Sequence, residues 1–132
     1  HIVYGQTYRL LQYSDAALVT SGTATLETAL FRVPQVVCYK TPVPGLVYWV
    51  FRNILTTKYI SLVNLIANRT VVQELFAKFF SKESITNELD NILNNKIYRN
   101  EMLSGYDEVI NILGDSGASD KAASVIVNSL NK

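Results

Sequence analysis

The sequence contains one cysteine, one histidine, one methionine and one tryptophan, and these scarcities remove whole classes of chemistry. Cys38 has no partner for an intrachain disulfide, so a disulfide scaffold is excluded and a reducing, cytoplasmic setting is expected. A catalytic thiol would want a neighbouring imidazole, and the sole histidine is His1, at the very start of the chain. Cys38 also lies inside an apolar run, where a free cysteine behaves as a small hydrophobe. An excess of one charge is missing too: 12 Lys and Arg stand against 11 Asp and Glu. These charges are scattered, which excludes the basic field that nucleic acid demands and weakens an electrostatic membrane patch. The apolar run from Val43 to Phe51 stops at Arg52, too short to cross a bilayer. The chain opens without a basic segment followed by a long apolar one, so no signal peptide is read. It also opens without Met, as an excised piece of a longer protein would.

What is present is apolar. Hydrophobic residues make up 48% and charged residues 17% of the 132 positions, a globular composition that fits one domain. Taken in order, Ile2-Val3-Tyr4 reads as a short strand closed by Gly5, and Thr7 to Tyr13 as a short helix with Leu10 and Leu11 inward. Ala16 to Val19 is a second strand, Ala24 to Arg32 a helix with Leu26, Ala29, Leu30 and Val33 on its inner face, and Gln35 to Tyr39 a third strand. Pro34 separates the last two, because the residue before proline is pushed out of the helical region. Apolar strands without alternation, separated by helices, indicate a parallel sheet covered on both faces. The expected fold is therefore α/β, a doubly wound Rossmann-like parallel sheet with a helical C-terminal tail. Ligands of such sheets bind at the carboxyl ends of the strands. Lys58 to Leu62 reads as a fourth strand, and Thr70 as the cap of a short helix running to Phe76. From 81 to 132 the pattern is helical scaffold. Ser81 or Ser84 starts a helix with Ile85, Leu89, Ile92 and Leu93 inward. A longer helix runs from Ile97 to Leu113, with Leu103, Tyr106, Ile110 and Leu113 inward, and Gly114 ends it. Asp120 would cap a last helix with Ala123, Ile126, Val127 and Leu130 inward.

The chemistry concentrates at Val19-Thr20-Ser21-Gly22-Thr23-Ala24-Thr25-Leu26-Glu27. There a strand ends in a hydroxyl-rich turn and a helix begins. The first amides of a helix lack partners and carry the positive end of its dipole, which suits phosphate. The bland reading of the same stretch is a turn self-capped by Ser21 or Thr23. Farther on, Tyr48, Trp49 and Arg52 flank an apolar helical face from Leu46 to Leu55. They suit a membrane interface or a partner protein, or they pack against a domain outside this chain. Asn64 interrupts an apolar run and is either a buried hydrogen-bonding residue or a ligand contact.

Ser21-Gly22-Thr23-Ala24-Thr25-Leu26-Glu27, with Phe31 to Lys40, Tyr59 to Arg69 and Val71 to Leu75, resembles the lipid-A-disaccharide synthases. The likeness is close from Ile2 to Leu75 and a matter of pattern in the tail. The hydroxyl turn followed by Leu-Glu is shared with two-domain GT-B glycosyltransferases, whereas the Ser-Leu-x-Asn-Leu segment is specific to this family. The resemblance implies the carboxyl-side, donor-binding domain of an inverting enzyme. Its donor would be UDP-diacylglucosamine and its acceptor diacylglucosamine 1-phosphate, brought by a domain outside this chain, giving a β-1,6 disaccharide. It implies no cofactor and no metal: Ser21, Gly22, Thr23 and Thr25 would hold the diphosphate in place of a metal ion. Glu27 would reach the ribose; its bland reading is an acid complementing the helix dipole, worth about 0.3–1 kcal/mol. Tyr39 and Lys40 would flank the uracil, Asn64 would bind donor phosphate or sugar, and Arg69 and Glu74 are further candidates. No catalytic residue is assigned within the chain. Acylated substrates imply a peripheral place at the inner face of the cytoplasmic membrane, and a homodimer is compatible with the likeness.

The sequence departs from the family pattern at three places. Asn68 stands where Gly is common, Gln73 where Pro precedes Glu-Leu, and Ala77 where Gln is common. The last departure puts a donor contact near position 77 in doubt. A UDP-N-acetylglucosamine 2-epimerase-like enzyme is the alternative within enzymes, but it would need His and carboxylate residues for acid/base work. A non-catalytic nucleotide-binding or assembly module, acting through Leu46 to Leu55, is the alternative outside them.

Overall fold

The computed structural model describes residues 1–20, 22–40, 59–114 and 118–130. Its elements are α1 (Thr7–Gln12), β1 (Ala17–Val19), α2 (Gly22–Leu30), β2 (Gln35–Tyr39), α3 (Leu62–Ala67), β3 (Glu74–Phe76), a 3-10 turn (Ala77–Phe79), α4 (Lys82–Asn94), α5 (Lys96–Leu113) and α6 (Ala118–Leu130). The strands form one parallel sheet in the order β1-β2-β3. Val19 lies beside Val37, and Tyr39 beside Phe76, so the carboxyl ends of all three strands point the same way.

β2 is the centre of the sheet, and its sequence explains why. Gln35 to Cys38 are all buried, with no alternation, because helices cover both faces. Val36 and Val37 pack with Ala29 of α2, Val63 of α3, Leu75 of β3, Ile92 of α4 and Tyr106 of α5 in one apolar cluster. α5 runs against α2, α3 and α4. The layer is close-packed at Gly105, where an added Cβ would sit 2.5 Å from Cγ1 of Val71.

The helix ends carry local signals. Ser81 caps α4 by accepting from the Ser84 amide at 3.0 Å, and Asn95 caps α5 by accepting from the Ile97 and Tyr98 amides. α2 closes with two reversed backbone bonds, Val33 N–H to the Thr28 carbonyl at 3.1 Å and Arg32 N–H to the Ala29 carbonyl at 2.8 Å. That pattern needs a left-handed residue, here Arg32 at φ 56°. The helix thus stops at Leu30, before Pro34 acts.

Several expected elements differ. Residues 2–4 form no strand, and Ile2 and Tyr4 are largely exposed, since β1 pairs only with β2 among the described residues. Leu10, Leu30, Leu93 and Leu113 are exposed rather than inward. Residues 59–61 are not a strand, because the Ile60 and Ser61 amides turn to a side chain and Ser61 caps α3. Residues 74–76 are a strand rather than a helix, paired with β2, where Leu75 fills the core. α6 begins at Ala118, ahead of Asp120, and leaves Ile126 and Val127 exposed.

Candidate functional site

The β1–α2 connection is short, so the start of α2 lies at the carboxyl end of β1. No acidic residue occupies the first turn of α2, leaving the positive end of the helix uncompensated by its own side chains. Ser21 lies outside the described residues. Gly22 is partly exposed and Thr23 exposed. Thr25 is fully buried, its hydroxyl donating back to the Gly22 carbonyl at 2.5 Å. Thr28 does the same toward the Ala24 carbonyl at 2.8 Å. Such back-bonding satisfies a buried hydroxyl inside a helix.

Two other segments converge on Gly22. A Cβ built there would lie 3.9 Å from the Ile60 carbonyl oxygen and 4.0 Å from the Tyr39 hydroxyl, ordinary contact distances. Tyr39 ends β2 and is half-buried, with Lys40 exposed just beyond it. Burial, and then the nearby charge of Glu74, push the Tyr39 phenol above its usual value, so it stays a neutral donor.

The Glu74 carboxylate, at the start of β3, is filled from within the protein. It accepts from the Ile60 amide at 3.0 Å, the Ser61 amide at 2.8 Å, the Ser61 hydroxyl at 2.7 Å and the Asn64 side-chain amide at 2.9 Å. Asn64 is 1% exposed and its amide is fully used. Its Nδ2 donates to the Val72 carbonyl at 2.8 Å as well as to Glu74, and its Oδ1 accepts from the Val71 amide at 2.8 Å and the Val72 amide at 3.0 Å. Asn64 therefore ties α3 to the approach of β3, and Glu74 ties β3 to the segment before α3. Ser61, which caps α3 and binds Glu74, was not singled out from the sequence. A Ser three residues before Asn64 was the signal available for it.

Glu27 is partly exposed, one turn along α2, and lines an open crevice of about 430 Å³ with Gly5, Gln6, Thr7, Tyr8 and Arg9. Tyr8 stacks on Phe31 beside it, ring centroids 5.3 Å apart, which docks α1 on the end of α2. Arg69 is elsewhere. It follows the far end of α3 and binds Glu108 of α5, Nε to Oε2 at 2.9 Å and Nη2 to Oε2 at 2.5 Å. The structure thus gathers Gly22, Thr23, Tyr39 and Lys40 at one end of the sheet, with Asn64 and Glu74 behind them, and sets Arg69 apart. Tyr48, Trp49 and Arg52 lie outside the described residues. No described helix is long and apolar enough to cross a membrane.

Comparison with known proteins adds independent information. The sequence profile of the lipid-A-disaccharide synthetases matches residues 1–125. The chain is 38% identical over 129 residues to the lipid-A-disaccharide synthase of Myxococcus xanthus, covering 98% of this chain and 33% of that protein. It is 39% identical over 130 residues to the synthase of Gloeothece citriformis, covering 96% and 33%. To the synthase of Geobacter sulfurreducens it is 32% identical over 131 residues, covering 99% and 34%. The chain spans about a third of the length of these curated relatives.

Proposed function

Because the chain belongs to the lipid-A-disaccharide synthetase family, we propose that it is the donor-binding part of a glycosyltransferase that builds the lipid A disaccharide. The donor is UDP-diacylglucosamine, and diacylglucosamine 1-phosphate is the acceptor. The acceptor and the general base come from polypeptide outside this chain. The acceptor hydroxyl oxygen bonds to the anomeric carbon as the bond to the UDP oxygen breaks. The electron pair leaves with UDP, the proton goes to the base, and the anomeric centre inverts.

In this reading the residues divide by reach. The backbone at Gly22 and Thr23, with Ser21 beside them, receives the diphosphate, and the start of α2 stabilises the charge that develops on the leaving group. Glu27 accepts from the ribose hydroxyls, and Tyr39 and Lys40 flank the uracil. Thr25 sits beneath the site with its hydroxyl spent inside α2. Acylated substrates call for a protein at the inner membrane face, where Tyr48, Trp49 and Arg52 are the candidates for contact.

One observation carries the reading. At the carboxyl end of the sheet, α2 opens with no acid in its first turn, while the neighbouring carboxylate, Glu74, is already occupied by the protein's own donors. The test is a calorimetric titration of the full-length protein with UDP. Wild type should bind, and Glu27→Ala should weaken binding by about 1–3 kcal/mol through loss of a charge-assisted hydrogen bond. Equal affinities would remove Glu27 from the ribose.

A further inference from the structure

We infer that Asn64 and Glu74 are positioning residues of the donor site, holding residues 59–61 against the start of α2 without touching the donor themselves. The inference rests on the donor reading above. Asn64 has nothing left to offer a ligand: both amide hydrogens and the carbonyl oxygen are engaged, and the side chain is buried. What it does instead is brace Glu74 and the backbone at Val71 and Val72.

Glu74 acts through one peptide group. It is anchored in the sheet, its Cα paired with that of Val37 in the central strand. From there it grips the Ser61 amide at 2.8 Å. In a trans peptide the N–H and the preceding C=O point in opposite directions. Holding the Ser61 N–H toward β3 therefore aims the Ile60 carbonyl away from β3, and that carbonyl is the atom found beside Gly22. The Ile60 amide, also on Glu74 at 3.0 Å, removes the remaining freedom to rotate. The position of the Ile60 carbonyl beside Gly22 is thus set by a carboxylate one layer behind it, itself oriented by Asn64.

The experiment uses the full-length protein with UDP as the probe and two readouts: UDP affinity by calorimetry, and hydrogen exchange at Ile60 and Ser61 in the ligand-free state. Asn64→Ala and Glu74→Ala should bind UDP about tenfold more weakly or worse, as misplaced site walls do. In both, the two amides should exchange faster than in wild type before any ligand is added. Glu74→Gln keeps a carbonyl oxygen for the Ser61 amide and should recover part of both effects. Where Asn64→Ala does not fold, Glu74→Gln carries the comparison. Faster exchange with unchanged UDP affinity would overturn the inference, leaving these residues as fold supports. Weaker affinity with wild-type exchange would also overturn it, making them direct contacts. A wild-type protein that does not bind UDP would overturn the donor reading itself and this inference with it, a distinct result.

Discussion

Tyr106 shows how one residue joins the helical layer to the sheet. It is fully buried, and its hydroxyl donates to the Val33 carbonyl at 3.2 Å while lying 3.3 Å from Gln35 Nε2. Gln35 in turn donates to the Thr25 carbonyl at 2.9 Å, so the network reaches from α5 through β2 into α2. Burial pushes the Tyr106 phenol well above its ordinary value, and the hydroxyl remains a donor at all physiological pH. Tyr106→Phe should therefore cost about 1–2 kcal/mol in urea unfolding, the loss of a buried hydrogen bond with the ring packing retained. An unchanged midpoint would show the hydroxyl to be idle. Periodicity put Tyr106 on the inner face of its helix, but its hydrogen bonds were not legible, because both partners are distant in sequence. Asn64 was legible as one of two things, and its four bonds settle only where its amide is spent. Asn68 explains itself: the position has φ 51°, a left-handed conformation that Gly takes freely and Asn takes better than most. Ala77, at φ 50°, has no such excuse and carries backbone strain.

At the scale of elements, α5 lies close against the Val71 segment. Alanine normally favours a helix over glycine by up to about 1 kcal/mol. At Gly105 the new Cβ would meet Val71 at 2.5 Å, so overpacking should reverse the sign. Gly105→Ala should destabilise the protein by about 1–3 kcal/mol in denaturant unfolding. Paired with Val71→Ala it should cost less than the sum of the two changes, because the clash is removed. Additive costs would mean that α5 shifts freely. The long elements were readable from their period: β2 was placed at its observed bounds, and α2, α4 and α5 within a few residues. Among the short ones, α1 and β1 were read to within a residue, but β3 and the segment before α3 were not. β3 holds a single buried apolar residue, Leu75, between half-buried neighbours, too little pattern to separate a strand from a helix turn. Residues 59–61 look like a strand by composition. The Ile60 and Ser61 amides go instead to Glu74, a side chain distant in sequence, so the strand never forms.

For the molecule as a whole, the parallel order β1-β2-β3 is what gathers the site, since it brings all carboxyl ends to one side. The ends of β1 and β2 were expected to converge from the alternation of strands and helices. The third end comes from β3, a segment read as helix, and not from residues 2–4, which form no strand. Arg69 was a further candidate implied by the family resemblance. α3 intervenes and carries Arg69 to Glu108, a partly exposed ion pair that adds little to stability. In the proposed donor site, UDP sits at the start of α2 and not on the Arg69 side. The most direct test is hydrogen exchange of the full-length protein with and without UDP. Protection should rise at Gly22 and Thr23, and the amides of residues 69–71 should exchange unchanged. Protection at 69–71, or none at Gly22 and Thr23 under saturating UDP, would contradict it.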